Sequence, residues 1–223
     1  MTTAVILAAG KSERMGPGVD KAFLSLVNKP VVAWSLLAFE RCPDIDRIVL
    51  VVRKDQLVAS KAVVKMFGIS KIEKIVSGGS RRQDSAAAGL AACDLGTKYV
   101  VIHDGARPMV TTKLISELVA AVRHCPAVAV GRPVTDTLKR CDKKGGVVTE
   151  TVPRERMWCV QTPQAFHVKE LRDAYKALGS ATVTDDCAAV ERNGVRSRIL
   201  TSLEPNFKIT TVEDLQVASM LLK

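Results

Sequence analysis

Short apolar, β-branched runs alternate with segments of helical spacing, and this alternation constrains the fold more than any other feature of the sequence. The runs predict strands at 4–8, 47–52, 71–76, 99–103, 127–130 and 196–201. Helices are predicted at 30–39, 56–67, about 84–93, 112–124 and 168–178, with two more starting at 184 and at 210 or 211. Repeated β-α units form mostly parallel, twisted sheets with helices on both faces. The chain of 223 residues is therefore predicted to form one α/β domain.

The charge balance points to an anionic partner. The 33 Lys and Arg residues outnumber the 23 Asp and Glu residues, giving a formal charge of +10. Such a balance suits nucleic acid, a membrane surface or a phosphorylated small molecule, although generic solubility also explains it. The sequence has neither a basic run with interleaved aromatics nor an apolar run of roughly 20 residues. It therefore favours small anionic substrates over nucleic acid or a membrane.

The six cysteines are scattered and form no C-x-x-C pair. This distribution disfavours both a disulfide framework and a structural zinc site, so reduced thiols are expected. The chain begins with no signal-peptide pattern, because Met1-Thr2-Thr3 leads directly into the first strand. These features predict a cytoplasmic protein.

The segment 135–152 departs from the β-α rhythm. It is polar and β-branched around Lys143-Lys144-Gly145-Gly146, which is typical of a β-hairpin with glycines at its turn. A hairpin of this composition buries little surface on its own core. We therefore expect a protruding arm that contacts a second subunit in a homodimer.

Ligands of open α/β sheets bind beyond the carboxyl ends of the strands, so the loops there carry the functional information. In the first loop, the small residues Ala8, Ala9 and Gly10 let backbone N–H groups approach a polyphosphate. Arg14 and Lys21 could neutralise charge on a reacting phosphate. The loop has neither the Walker A nor the dinucleotide-binding pattern, and taken alone it is also compatible with a solvated turn.

Two later loops have similar features. Gly78 and Gly79 permit close backbone approach, and Ser85 lies at a helix start, where it either faces an anion or merely caps. Asp104 follows the fourth strand, a common place for a magnesium ligand, although an Asp before Gly also forms turns. The neighbouring His103 is better explained as a packed or hydrogen-bonded residue than as a catalyst.

Together these segments resemble the 2-C-methyl-D-erythritol 4-phosphate cytidylyltransferase family of isoprenoid synthesis. The resemblance covers nearly the whole chain and implies a single Rossmann-like nucleotidyltransferase domain. Its marks are LAAGKSERMG (7–16), GGSRRQDS (78–85), HDGARP (103–108), PVTDTLKR (133–140), WCVQTPQAF (158–166), VTDDCAAVE (183–191) and NFKITTVEDL (206–215). The first mark is shared with other nucleotidyltransferases, whereas HDGARP, DTLKR and TPQAF in this order are more specific.

The resemblance implies roles for individual residues. Arg14 and Lys21 match the family's transition-state stabilisers on the CTP phosphates, and Arg154 and Lys208 match the pair that holds the acceptor. The implied nucleotide-binding residues are Ala8, Ala9, Gly10, Gly79, Ser80, Ser85 and Asp104, with Asp104 also a candidate metal ligand. The further substrate-binding residues implied are Arg107, Thr137 and Thr162.

Two positions depart from the family pattern. Asp20-Lys21-Ala22 stands where the family usually has Pro-Lys-Gln, and Ser12 stands where many members have Gly. Lys21 is kept, but the proline that would stiffen its approach is absent, and Asp20 could pair with it.

The implied reaction is transfer of CMP from CTP to 2-C-methyl-D-erythritol 4-phosphate, assisted by Mg²⁺, with release of pyrophosphate. A ribitol 5-phosphate cytidylyltransferase would share the fold, CTP and most loop residues. A molybdopterin nucleotidyltransferase would not explain the later motifs. A binding protein that keeps the fold without turnover would be expected to have lost some of the clustered cations.

Overall fold

The computed structural model describes residues 1–10 and 20–222. Its strands are β1 Thr2–Ala8, β2 Ser25–Leu26, β3 Lys29–Pro30, β4 Arg47–Val52, β5 Ile72–Ser77, β6 Tyr99–Asp104, β7 Ala127–Pro133, β8 Leu138–Cys141, β9 Val148–Val152, β10 Trp158–His167 and β11 Arg198–Thr201. Its α-helices are α1 Val31–Arg41, α2 Leu57–Met66, α3 Arg82–Ala92, α4 Thr112–Val122, α5 Val168–Leu178, α6 Asp186–Arg192 and α7 Val212–Leu221. Short 3₁₀ turns lie at Lys21–Phe23 and Lys54–Gln56.

A seven-stranded sheet forms the centre, in the order β11-β7-β10-β6-β1-β4-β5. β1 runs parallel to both β4 and β6, and β4 runs parallel to β5. β10 is antiparallel to β6 and β7 on either side. The mostly parallel α/β sheet predicted from the sequence is confirmed, and the carboxyl ends of β1, β4, β5 and β6 meet at one edge.

Successive side chains of β1 point to opposite faces of the sheet, because side-chain direction alternates along a strand. Ala4 and Ile6 pack among apolar residues of α1, α2 and α4. Val5 and Leu7 pack among those of α3, α5 and α6. Both faces are therefore covered by helices, which explains why the central strands are continuously apolar.

The strand Trp158–His167 is the main element that sequence analysis missed. Its first residues are exposed and its buried middle contains Gln161, Thr162 and Gln164, so it shows neither an apolar run nor a clean alternation. The predicted elements also do not include the 3₁₀ turn Lys21–Phe23 and the small antiparallel pair β2–β3.

Side-chain caps fix the starts of three helices. Thr111 caps α4 by accepting from the Leu114 N–H, and Asp185 caps α6 by accepting from the Ala188 N–H. Thr211 and Asp214 form the capping box of α7. The predicted start at 112 is confirmed, whereas the predicted starts at 184 and at 210 or 211 lie one or two residues before the observed helices.

β8 and β9 form a separate two-stranded antiparallel sheet, in which Leu138 lies opposite Val152. Most of its residues are exposed. Its role as an arm that contacts a second subunit stays a prediction. Among the described residues, no helix has the length and apolar character needed to cross a membrane.

Replacing Gly89 by alanine should destabilise the fold, because α3 lies unusually close to the sheet at this position. An added Cβ would lie 2.3 Å from Val5 Cγ1 and 2.8 Å from Val51 Cγ2. Overpacking costs typically about 1–3 kcal/mol, which should exceed the gain of about 1 kcal/mol in helix propensity. We expect Gly89→Ala to lower the urea unfolding midpoint. Gly146→Ala, which meets no atom within 4 Å, is the matched control and should leave the midpoint unchanged. An equal midpoint in both variants would contradict the close packing.

Candidate active site

A cavity of about 290 Å³ opens at the carboxyl edge of the parallel strands. It is lined by Leu7, Ala8, Ala9, Gly10, Asp20, Lys21, Ala22, Arg53, Lys54, Gly78, Gly79, Ser80, Arg81, Arg82, Ser85, Asp104, Ala106 and Lys208. These residues come from the loops after β1, β4, β5 and β6 and from the segment before α7. The cavity combines close-lying backbone with several cations and therefore suits a polyphosphate.

The two glycines of the loop after β5, called the third loop below because it follows the third predicted strand, are required by close packing. A Cβ on Gly78 would lie 2.5 Å from both Ala9 Cβ and Ser85 Oγ, and one on Gly79 would lie 2.4 Å from Asp84 Cβ. The Gly79 N–H donates to Ser85 Oγ over 3.2 Å. The first and third loops thus pack directly against each other and form one continuous wall of the cavity.

Asp104 is the charged centre of the site. It is 6% exposed, and its two carboxylate oxygens bind different cations. Arg82 Nε donates to Oδ1 over 3.0 Å, and Lys208 Nζ donates to Oδ2 over 2.8 Å. Burial alone would raise the pKa of Asp104, but the charges of Arg82 and Lys208 hold that pKa well below its ordinary value. Asp104 is therefore an ionised anchor at neutral pH and not a proton donor.

Lys208 reaches Asp104 because the chain before α7 is fixed by buried polar contacts. Asn206 Nδ2 donates to the Thr162 carbonyl over 2.9 Å and to Gln161 Oε1 over 3.1 Å. The Ile209 N–H donates to the Ala106 carbonyl over 2.8 Å. Lys208 lies between these two tethered positions, so its ammonium group is directed to the end of β6.

The turn that carries Lys21 is capped by Asp20, whose Oδ1 accepts from the Ala22 N–H over 3.1 Å. The Arg53 Nε lies 3.7 Å from Asp20 Oδ2. Sequence analysis noted that Asp20 could pair with Lys21. In the structure Asp20 fixes the start of the turn that carries Lys21, and its carboxylate also lies close to Arg53.

A buried hydrogen-bond chain supports Asp104 from behind. The Asp104 N–H donates to Thr162 Oγ1 over 3.0 Å, and this hydroxyl lies 3.3 Å from His103 Nδ1. His103 Nε2 lies 3.2 Å from the Arg107 carbonyl, which requires a proton on Nε2. His103 also packs 5.2 Å from the Phe39 ring and is fully buried, as expected for a packed residue.

The structure brings most of the predicted site residues together. The cavity is lined by Ala8, Ala9, Gly10, Lys21, Gly79, Ser80, Ser85, Asp104 and Lys208. Arg107 is partly buried and donates to the Asn206 carbonyl over 2.7 Å, while Thr162 is buried behind Asp104. Thr137 and Arg154 are exposed near the β8–β9 ribbon, where Arg154 donates to the Thr135 carbonyl. Arg14 lies outside the described residues.

Sequence analysis missed Arg82, Asp186 and Arg53. Arg82 and Asp186 stand within the motifs GGSRRQDS and VTDDCAAVE, but the spacing along the chain gives no sign that they pair. Arg82 Nη1 lies 2.9 Å from Asp186 Oδ2. Arg53 directly follows β4, at the carboxyl edge of the sheet, and lines the cavity.

Asp104 also fits the predicted role of a magnesium ligand. The described part of the chain contains no group of three or more His, Cys, Asp or Glu residues that could hold a metal by itself. Mg²⁺ is, however, usually held by one or two carboxylates together with substrate phosphates. Each Asp104 oxygen keeps a lone pair beyond its bond to Arg82 or Lys208. The site therefore suits a metal that arrives with a triphosphate.

The buried His103 should make stability depend on pH. Burial lowers its pKa from 6.5 to about 3, so between these values the unfolded chain takes up a proton that the folded chain excludes. From about pH 7 to about pH 5 the free energy of unfolding should fall by about 2 kcal/mol through this residue. Urea titrations at both pH values would measure the loss, which should be absent in His103→Gln. The exposed His124 provides the control: His124→Gln should show the loss, and an unchanged loss in His103→Gln would contradict the assignment.

Comparisons with known proteins agree with this geometry. A model of the IspD family, 2-C-methyl-D-erythritol 4-phosphate cytidylyltransferase, matches residues 2–223. The protein of that name from Dehalococcoides mccartyi (strain ATCC BAA-2266 / KCTC 15142 / 195) is 44% identical over 99% of this chain and 95% of its own length. The one from Nostoc punctiforme is 37% identical over 98% of this chain and 96% of its own length.

Solved structures show the same likeness. The 4-diphosphocytidyl-2C-methyl-D-erythritol synthase of Anaerococcus prevotii DSM 20548 superposes with a TM-score of 0.87 at 31% identity, covering 99% of this chain and 95% of its own. The cytidylyltransferase of Thermus thermophilus gives 0.80 at 27% identity, covering 97% and 96%. These matches cover 97% of the chain or more. The range matched by the family model, 2–223, includes every loop that lines the cavity. The chain therefore belongs to the 2-C-methyl-D-erythritol 4-phosphate cytidylyltransferase family.

Proposed function

We propose that this protein transfers CMP from CTP to 2-C-methyl-D-erythritol 4-phosphate and releases pyrophosphate, as a step of isoprenoid precursor synthesis. The observation that carries the proposal is the cavity itself. Two glycine-containing loops form one wall, and Lys21 and Lys208 bring positive charge to it beside the ionised Asp104. The arrangement suits two phosphorylated substrates that must meet at one point.

The reaction is an in-line displacement. A phosphate oxygen of the acceptor attacks the α-phosphorus of CTP and forms a new P–O bond. The bond from that phosphorus to the oxygen bridging the α- and β-phosphates breaks, and pyrophosphate leaves with the electron pair. Such transfers need little covalent chemistry from the protein, so its work is positioning and charge stabilisation.

Different residues position the nucleotide, neutralise the developing charge and hold the acceptor. The backbone of Ala8–Gly10 and Gly79–Ser80 lies against the nucleotide, with Ser85 in the base pocket. Lys21, together with Arg14, neutralises the charge that develops on the phosphates. Lys208, oriented by Asp104, holds the acceptor phosphate for attack. Mg²⁺, held by Asp104 and the phosphates, would supply further charge neutralisation.

Ribitol 5-phosphate is the alternative acceptor considered from the sequence, and it is not favoured. The relatives reported above are named as 2-C-methyl-D-erythritol 4-phosphate cytidylyltransferases, and this chain matches nearly their whole length. Pyrophosphate release with CTP and Mg²⁺, measured with each acceptor in parallel, separates the two. We expect turnover with methylerythritol phosphate. Turnover with ribitol 5-phosphate alone would keep the fold and the site but overturn the proposed acceptor.

Removing one of the catalytic cations should slow the reaction strongly. By analogy with loss of one oxyanion donor, Arg14→Ala or Lys21→Ala should cost about 2–4 kcal/mol of barrier, or about 30- to 1,000-fold in kcat. Steady-state pyrophosphate release measures the loss. Lys113→Ala is the control for removal of a lysine charge, since the Lys113 side chain is 74% exposed and its ammonium lies 3.9 Å from Glu117. Full activity in Arg14→Ala would remove that residue from the mechanism.

We further propose a homodimer formed through the ribbon at 135–152. The segment after the ribbon exposes Met157, Trp158 and Val160 at 42%, 37% and 42%, an apolar surface suited to burial against another subunit. Arg154 lies between this surface and the ribbon and is itself exposed. In the proposed dimer Arg154 reaches the acceptor site of the partner.

Mixing two inactive variants tests this exchange. In a heterodimer of Arg154→Ala and Lys21→Ala subunits, one site combines an intact Lys21 with the Arg154 of the partner subunit. An equimolar mixture that exchanges subunits should therefore recover about a quarter of wild-type activity, since half the dimers have one complete site. Each variant alone provides the baseline. No recovery, despite heterodimers detected by sedimentation and mass spectrometry, would place Arg154 in the site of its own subunit.

We also propose a cytoplasmic location. The six cysteines are unpaired, and Cys141 and Cys159 are exposed. Exposed thiols that stay unpaired are characteristic of a reducing compartment. Fractionation of the producing cells with an antibody to this chain would locate it directly.

A further inference from the structure

Asp186 is a fully buried carboxylate outside the cavity, with partners on two sides. Tyr175 donates its hydroxyl to Asp186 Oδ1 over 2.5 Å, and Arg82 Nη1 lies 2.9 Å from Oδ2. Asp186 is the first residue of α6. Its side chain is thus held by Tyr175 of α5 and by Arg82 of α3.

The other side of Arg82 faces the active site. Its Nε donates to Asp104 Oδ1 over 3.0 Å, while Asp104 Oδ2 accepts from Lys208. A planar guanidinium group can bind two carboxylates at once because its N–H groups point in fixed directions. One rigid cation therefore joins Asp186 to Asp104, and the chain of contacts runs from Tyr175 through Asp186, Arg82 and Asp104 to Lys208.

The position of Arg82 depends on this second carboxylate. The Arg82 side chain is 28% exposed and lines the cavity, and it begins α3, next to the loop that carries the glycines. With only Asp104 to bind, the guanidinium group could turn toward a phosphate in the cavity and leave Asp104. Asp104 would then lose one of the two cations that set its orientation, and Lys208 would lose its fixed partner.

A purely stabilising role explains the arrangement less well. Buried ion pairs contribute little to net stability, because the cost of desolvating the charges offsets most of their attraction. A buried carboxylate that aligns a cation at the edge of an active site has a function that an apolar residue of the same volume would not supply.

We propose that Asp186 is a positioning residue for the transfer reaction: it holds Arg82 in the orientation that fixes Asp104 and, through it, Lys208. The inference rests on the proposed function, because Lys208 is taken to bind the acceptor phosphate. Asp186 does not touch substrate. It acts through Arg82, and this dependence is what an experiment must detect.

Asp186→Asn keeps the volume of the side chain and its bond to Tyr175 but removes the charge that holds Arg82. We expect kcat to fall about 10- to 100-fold with the KM for CTP changed less than about threefold, since misplacement affects the reacting geometry more than nucleotide binding. Asp173→Asn is the matched control, because Asp173 lies on the outer side of α5 and forms an exposed pair with Lys169. It should leave both constants unchanged. Unchanged kcat in a folded Asp186→Asn protein would overturn the proposal.

A double-mutant cycle separates positioning from a structural role. Arg82→Lys keeps the charge but cannot bind both carboxylates in the same way. If Asp186 acts through Arg82, Arg82→Lys with Asp186→Asn should match the kcat of Arg82→Lys alone within about twofold. Multiplication of the two single losses would overturn the proposal. If Asp186→Asn fails to fold, Asp186→Ser, which also removes the charge, replaces it in the same cycle, and the same two outcomes apply.

A crystal structure of Asp186→Asn, or of Asp186→Ser if the first variant does not fold, tests the geometry without a measurement of activity. Displacement of Arg82 Nε from Asp104 Oδ1 supports the proposal, and retention of the 3.0 Å contact overturns it. This measurement also distinguishes a failure of the proposed function from a failure of the role proposed for Asp186. A wild-type protein that releases no pyrophosphate would contradict the proposed function, whereas the position of Arg82 would still decide the role of Asp186.

Discussion

The site depends on one buried carboxylate shared by two cations. Asp104 ends the central strand β6, and its two oxygens bind Arg82 at the start of α3 and Lys208 from the segment before α7. Three parts of the chain that are distant in sequence are thereby fixed at one point. Because the surrounding cations keep Asp104 ionised, the arrangement persists over the pH range in which phosphates carry their charge.

The sheet topology places this carboxylate where a substrate can reach it. Parallel strands end at the same edge, so the loops after β1, β4, β5 and β6 converge there without needing special contacts. The antiparallel strand β10 lies beside β6 and contributes Thr162, whose hydroxyl accepts from the Asp104 N–H. The antiparallel strand β10 thus helps to hold Asp104 in place, whereas the loops that follow the parallel strands form the cavity that a substrate can enter.

Much of this could be predicted from the sequence, for identifiable reasons. The strands β1, β4 and β6 are buried on both faces, so their sequences are continuous apolar runs. The end of the run in β6 also indicated that Asp104 lies at the end of a strand. Most of the residues that line the cavity lie in motifs with glycine or charge at fixed positions. Pairing across the chain could not be predicted: the Arg82–Asp186 contact depends on how α3 and α6 pack. The strand β10 was missed because polar residues occupy its buried centre.

The most direct test of the account is a crystal structure with acceptor and a CTP analogue whose α,β-bridging oxygen is replaced by a methylene group, which blocks the cleavage. The account predicts that the triphosphate lies in the cavity between Gly10 and Gly79, with the acceptor phosphate beside Lys208 and Asp104 still bound to Arg82. A nucleotide bound elsewhere, such as in the groove lined by Lys29, Trp34 and Arg41, would contradict it.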